Sequence, residues 1–417
     1  MNFRFCWVVV AAMPALLLVL APQTARAQVA LAAAGTATEA ASSGPLANFA
    51  EGSTRSSSKA QLTIGGYVEG YYQWNAGQPS NGITNLRAFD NRHASFTLQN
   101  VLLDASGRLD KVSAHLALQF GHLPDTYYAA EPLSPGASGA NASGPNLWKY
   151  LQQANVSWLA PVGRGLTLDA GLFLSPIGPE GMAVKDQWNW SRSNLFFGLP
   201  FYHTGVRATY PLGESGTLSA MACNGWNSVV DNNTEKSLLL QYSYNIADHI
   251  TWNLLYNGGV ERGENAPEGR AWRHMLDSYV ALYPSPRWSL IVHANAGAEP
   301  NELGNSAWLA GALYARVQAT DWLYLAARGD LFREWQARDA STSAAPIFWG
   351  GAAWITSQTL TADLRPADNL SMRLEYRHDQ SDADLYFRGQ TTVDVSGAAQ
   401  ANSDRQDTLT AGVTAWF

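Results

Sequence analysis

From Gln61 to Phe417 apolar and polar side chains alternate in short runs. Near the end of the chain Leu370, Met372, Leu374 and Tyr376 fall on one side of an extended backbone, and Ser371, Arg373, Glu375 and Arg377 on the other. A period of two over eight residues specifies a strand with one apolar and one polar face. The last stretch repeats it, with Leu409, Ala411, Val413, Ala415 and Phe417 opposite Thr408, Thr410, Gly412 and Thr414. Earlier copies set Leu62, Ile64, Val68 and Tyr72 against Thr63, Tyr67, Glu69 and Gln73, and Val112, Leu116, Leu118 and Phe120 against Ser113, His115 and Gln119. Others set Leu166, Leu168, Leu172 and Leu174 against Thr167 and Asp169, and Leu238, Leu240, Tyr242 and Tyr244 against Ser237, Gln241 and Ser243. Ile250, Trp252, Leu254 and Tyr256 against Thr251, Asn253 and Asn257 make one more. The alternation is weakest around Met221, Met275 and Leu313.

Strands of this kind also build soluble sandwiches, so the connections have to decide between the two solvents. Tight turns at GRLDK, APVGRG, PLGESG, NIADH, PSPR, ATD and RPADN alternate with links that are mostly longer. Short turns at one rim and long loops at the other are the arrangement of a transmembrane barrel. The reading is therefore all-β: a transmembrane antiparallel β-barrel of about sixteen strands, an even number that leaves both termini periplasmic. An unpaired backbone group in hydrocarbon costs several kcal/mol, so the sheet must close, joining the strand near Gln61 to the one ending at Phe417. An interior of this width is expected to hold water. Trp74, Trp158, Tyr210, Trp226, Trp288, Trp322, Trp416 and Phe417 sit near strand ends, where interfacial girdles are expected.

The start of the chain adds the address. Arg4, an apolar run to Leu20 and the Ala25-Arg26-Ala27 triplet have the order of a secretory signal cleaved after Ala27. Residues 1–27 are read as that signal, 28–60 as a flexible periplasmic leader rich in Ala, Ser, Gly and Thr, and 61–417 as the barrel. No later window of about 18 apolar residues exists to make a spanning helix. Charged residues are 15% of the chain, against about 25% in ordinary soluble proteins. With Arg4 and Arg26 removed, 25 basic residues face 34 acidic ones, a net charge of −9, which argues against nucleic acid as a partner. Cys6 leaves with the signal, so Cys223 has no partner for an internal disulfide.

Two stretches carry a resemblance. Residues 86–107 contain Arg87, Phe89, Asp90, Arg92, His93, Ser95 and Phe96 in the spacing R-x-F-D-x-R-H-x-S-F. Residues 188–212 contain Trp188, Asn189, Ser191, Arg192 and Ser193, then Pro200, His203, Gly205, Val206 and Arg207. In these motifs the chain resembles the OmpL-like beta-barrel porins of bacterial outer membranes. The resemblance implies a pore-forming role in the outer membrane without naming a solute, and it brings no catalytic residue with it.

Strand parity and the cost of facing lipid, roughly 2 to 4 kcal/mol for Arg at mid-depth, place Glu69, Asp169, Arg207, Arg328, Asp330, Arg373, Glu375 and Arg377 inward as pore-lining candidates. On that reading, exchanging Arg373 and Arg377 for Glu shifts ion selectivity toward cations. The third long loop, residues 175–199, carries Glu180, Lys185, Asp186 and Arg192. General porins fold their third loop into the lumen, and by that analogy these four are constriction candidates. The alternative is an outer-surface loop packed on its own Trp188, Trp190, Phe196 and Phe197. The eight histidines are dispersed without ligand spacing, so neither a metal nor another cofactor is expected. The function expected is passive diffusion of small polar solutes or ions through an outer-membrane channel in contact with lipid, with self-association left open. Two readings of other classes stand beside it: a surface adhesin or receptor using loop 124–148, and an outer-membrane hydrolase, for which no nucleophile motif is present.

Overall fold

The computed structural model describes residues 60–133, 143–336 and 346–417. The signal and, but for Ala60, the leader expected from the sequence lie outside them, as does the middle of loop 124–148. Among the described residues sixteen strands close into one antiparallel barrel. Its first half is β1 Gln61–Asn75, β2 Ser95–Leu109, β3 Val112–Phe120, β4 Leu151–Ala160, β5 Leu166–Leu174, β6 Tyr202–Leu212, β7 Gly216–Cys223 and β8 Ser237–Ala247. The second half is β9 Ile250–Val260, β10 Trp272–Ser285, β11 Trp288–Asn301, β12 Gly304–Gln318, β13 Leu323–Trp335, β14 Trp354–Ala367, β15 Leu370–Ser381 and β18 Arg405–Trp416. The hairpin β16 Thr392–Val393 and β17 Ala399–Gln400 forms a separate two-stranded sheet.

Closure runs through β1 and β18, from Tyr67 opposite Trp416 to Asn75 opposite Thr408. It leaves no free strand edge in the hydrocarbon zone. Gln61 and Phe417 lie at the rim of the seven tight turns, so this is the periplasmic rim in the expected sense. The opposite rim carries the long links, except that β11 and β12 are joined by a tight turn at residues 302–303.

The alternation sorts as lipid and lumen require. Ile64, Val206, Leu313, Leu360 and Leu374 are outward and more than half exposed, while Glu69, Gln73, Asn253, Asp330, Thr361 and Glu375 are inward. A bulge opposite Glu69 and Gly70 lets consecutive Gln99 and Asn100 both be buried, the first donating to Glu69 at 3.2 Å and the second to the Tyr67 hydroxyl at 3.0 Å. Trp158, Trp288, Trp322 and Phe417 form an exposed aromatic belt near the turn rim, and Trp74, Trp272 and Trp335 one near the loop rim.

Two girdle expectations are corrected. Trp416 shares the inward parity of Thr414 and packs with Tyr67, Leu102 and Ala117 inside the mouth. Trp226 falls beyond the end of β7 and packs edge-on to Trp308, 6.2 Å away, inside the barrel.

The strands with weak alternation have a physical reason for it. Met221, Leu239, Leu255 and Met275 point inward and are buried with Ile177, Leu195 and Leu199 of the third long loop, and with Trp308, Phe332 and Trp349. Where the wall meets an apolar loop instead of water, both faces of the strand are apolar. Leu172 follows the same logic: the alternation puts it on the apolar face with Leu166 and Leu168, and it is buried against a second apolar cluster with Phe89, Tyr127, Met182 and Phe196. The lumen is thus filled in part by loops and not by water alone.

Candidate functional site

The element that defines the site is the third long loop, residues 175–201. It folds into the barrel and is buried along most of its length. Loop backbone placed in a lumen needs partners for its N–H and C=O groups, and the wall supplies them as charges. The Val184 N–H donates to Glu69 Oε1 at 2.6 Å. The N–H groups of Trp190 and Ser191 donate to the two oxygens of Glu375 at 2.5 and 2.9 Å. Arg373 donates to the carbonyls of Asn189 and Gln187 at 3.0 and 2.7 Å, and Arg328 to that of Ser191 at 2.6 Å. Arg377 donates to the Arg192 carbonyl, and to Asn194 Oδ1 at 3.1 Å.

The loop also braces itself. Arg192 donates to the carbonyls of Gly181 at 2.8 Å and Trp190 at 2.6 Å, and to that of Met182, which ties one limb of the loop to the other. Glu180 accepts from Arg328 at 2.9 Å, from the Tyr314 hydroxyl at 3.0 Å and from the Ser193 N–H at 3.0 Å. Ser193 then caps a short helix, α3 in chain order after α1 Leu123–Tyr127 and α2 Pro145–Trp148, over Asn194–Phe197. Its hydroxyl accepts from the Phe196 N–H at 3.2 Å. Two glycines allow the close fit: a Cβ at Gly412 on β18 would lie 2.4 Å from the Trp190 ring, and one at Gly198 would lie 2.3 Å from Phe332.

Of the eight inward charges, Glu69, Arg328, Asp330, Arg373, Glu375 and Arg377 are at most 5% exposed. They sit beneath the loop and not on a water-facing wall, because loop peptide groups have replaced water as their solvent. Asp169 and Arg207 lie on the other side of the barrel, joined at 2.9 Å, with the Arg207 guanidinium partly exposed and 4.7 Å from the Phe173 ring. The four loop charges divide similarly. Glu180 and Arg192 belong to the bracing, whereas Lys185 and Asp186 are solvent-accessible and pair with each other at 3.0 Å. Around the far wall Asp104, His115, Asn155, Ser157, Thr209 and Gln241 keep partial exposure.

The two stretches that carry the family motifs meet at this site. Arg192 lies 5.5 Å from the Phe89 ring, and Phe89 packs on Phe196 and Phe201, each at 5.9 Å. Arg87 reaches the wall, donating to Thr408 at 2.6 Å, and pairs with Asp90 at 3.6 Å and Asp379 at 3.8 Å. Other loops are tied to one another at the outer rim. Glu131, whose carboxyl is pushed above the usual range by burial, accepts from the N–H groups of Val229 and Val230 and from Tyr202.

The family model described as "Putative beta-barrel porin-2, OmpL-like" matches residues 61–417, the whole barrel. The chain belongs to this porin family. It is an outer-membrane β-barrel whose lumen is a channel for solute diffusion, and its family and fold are those of non-enzymatic channels. No curated protein matches this porin in sequence.

Solved structures share the porin's fold. The outer membrane channel DcaP of Acinetobacter baumannii is 10% identical with a TM-score of 0.54, over 85% of this chain and 97% of that one. An anion-selective porin from Comamonas acidovorans is 11% identical with a TM-score of 0.54, over 86% of this chain and 100% of that one. OmpT of Vibrio cholerae in its trimer form is 9% identical with a TM-score of 0.52, over 86% of this chain and 100% of that one.

Sequence parity found the inward charges but missed Arg87, Asp90 and Asp379. Asp379 continues the parity of Arg373 and Arg377 and could have been found that way. Arg87 and Asp90 lie in a loop, where no period exists to place them.

Proposed function

We propose that residues 175–201 form the constriction of the porin, and that small polar solutes pass between this loop and the wall of β3 to β8. The observation that carries this reading is the one-sided hydrogen bonding: wall charges on β1, β13 and β15 bond the loop backbone, while the opposite wall, which meets the loop through apolar Phe173, Met221 and Leu239, keeps partly exposed polar groups such as Asn155, Ser157, Arg207 and Gln241. A passage lined on one side by a fixed loop and on the other by hydroxyl, amide and paired charged groups suits small hydrophilic solutes and requires no resident cofactor. The same arrangement favours a passage over a catalyst, since the buried carboxylates are engaged by loop N–H groups.

Lys185 is, with Asp186, one of the two solvent-accessible loop charges and can report on the passage. Lys185→Cys, treated with a bulky charged thiol reagent in a planar bilayer, is expected to lose conductance stepwise, while the buried Cys223 leaves the parent protein insensitive. Labelled Lys185→Cys channels with undiminished conductance would place the constriction elsewhere.

A further inference from the structure

Most guanidinium groups on the inner wall are committed to carboxylates or loop carbonyls. Arg316 on β12 is not. Its guanidinium carbon lies 4.9 Å from the Tyr324 ring and 5.4 Å from the ring of Trp188, which the constriction loop supplies. Among the described residues no hydrogen bond or ion pair engages its nitrogens, yet none of them is sealed from solvent. The two rings hold the cation in place, and its N–H donors have no hydrogen-bond partner among the described residues.

The surroundings strengthen the positive charge. Arg365 on β14 lies 5.2 Å from the same Tyr324 ring and is joined to Asp363 at 2.9 Å. Asp363 also serves Arg373 at 3.4 Å and the Ser371 hydroxyl at 2.5 Å. One carboxylate thus stands among three guanidinium groups. The position is between the loop and the turn rim, two residues from the end of β12, with Tyr283 and Arg365 half-exposed at the same level of the lumen.

We propose that Arg316, with Arg365 beside it, docks the oxyanion group of a diffusing solute, a carboxylate or phosphate, on the periplasmic side of the constriction. The fork of a guanidinium matches two oxygens of such a group, and a ring-clamped fork loses little freedom on engaging them. This rests on the channel reading and names the class of solute it favours.

The test uses the full protein in planar bilayers under a potassium chloride gradient, as wild type, Arg316→Gln and Arg316→Lys. Wild type prefers chloride and its current is blocked by inorganic phosphate or by acetate, whichever oxyanion the site takes. Arg316→Gln lowers the chloride to potassium permeability ratio on the order of fifteenfold, since one unit charge at about 5 Å in water shifts each monovalent ion by about fourfold and the two ions in opposite directions, and loses the block. Arg316→Lys keeps most of the ratio but weakens the block, since an ammonium lacks the planar fork. An unchanged ratio and unchanged block in a conducting Arg316→Gln protein would overturn the site while leaving the channel standing. If no form conducts, the channel reading fails, and equilibrium binding of phosphate and acetate to the solubilised barrel decides. Retention that needs Arg316 supports the site, and equal retention by Arg316→Gln overturns it.

Discussion

Replacing Arg373 and Arg377 together by Gln is expected to give a barrel that assembles normally but conducts in larger, noisier steps than wild type. These side chains hold the carbonyls of Gln187, Asn189 and Arg192 from the wall. Hydrogen bonds to charged groups are worth about 1.5 to 3 kcal/mol each, and the loop carbonyls left behind would be buried without partners. A loss of about 3 kcal/mol raises the population of a displaced loop by about a hundredfold or more. Single-channel recording checks this directly. Steps of unchanged size and steadiness would mean that the loop is held by its apolar contacts alone. Strand parity alone predicts that these arginines set selectivity from an open wall. The loop above them makes their first effect one of pore size.

The neighbouring residue should behave in the opposite way. Leu374 is 57% exposed on the lipid face of β15, and Leu374→Arg would set a guanidinium in hydrocarbon at a cost of roughly 2 to 4 kcal/mol. Against a total stability on the order of 5 to 15 kcal/mol, that is enough to depress the yield of assembled barrel sharply. Heat-modifiable mobility on electrophoresis measures it. A normal yield of folded Leu374→Arg protein would mean that Leu374 does not meet the acyl chains and that the parity of β15 is reversed.

This contrast between adjacent positions shows what was legible in the chain before its structure. Where a strand separates lipid from polar groups, period two reports both faces, so β1, β15 and β18 could be oriented residue by residue. Where loops fill the lumen, the signal fades: Met221 and Met275 are inward yet apolar because Ile177, Leu195 and Leu199 cover them. Trp416 belongs to the lumen by the same parity that sends Phe417 outward, and proximity to the chain end concealed this. The four charges of the third loop could be listed from sequence. Their division into braces, Glu180 and Arg192, and accessible groups, Lys185 and Asp186, depends on a contact more than a hundred positions long, Glu180 with Arg328, and on the loop folding back so that Arg192 meets Gly181 and Met182. Arg316 was hidden for a related reason, since β12 carries Ala310 and Ala312 on its inner face, where polar residues would have announced it.

The most direct test of a loop-constricted diffusion channel is single-channel conductance of the purified, refolded protein in a planar bilayer, compared with a form whose loop is shortened by removing residues 182–190. The account predicts discrete, stable steps from the full protein and several-fold larger steps from the shortened one, both from barrels verified by heat-modifiable mobility. No steps from either verified barrel, or equal steps from both, would contradict it.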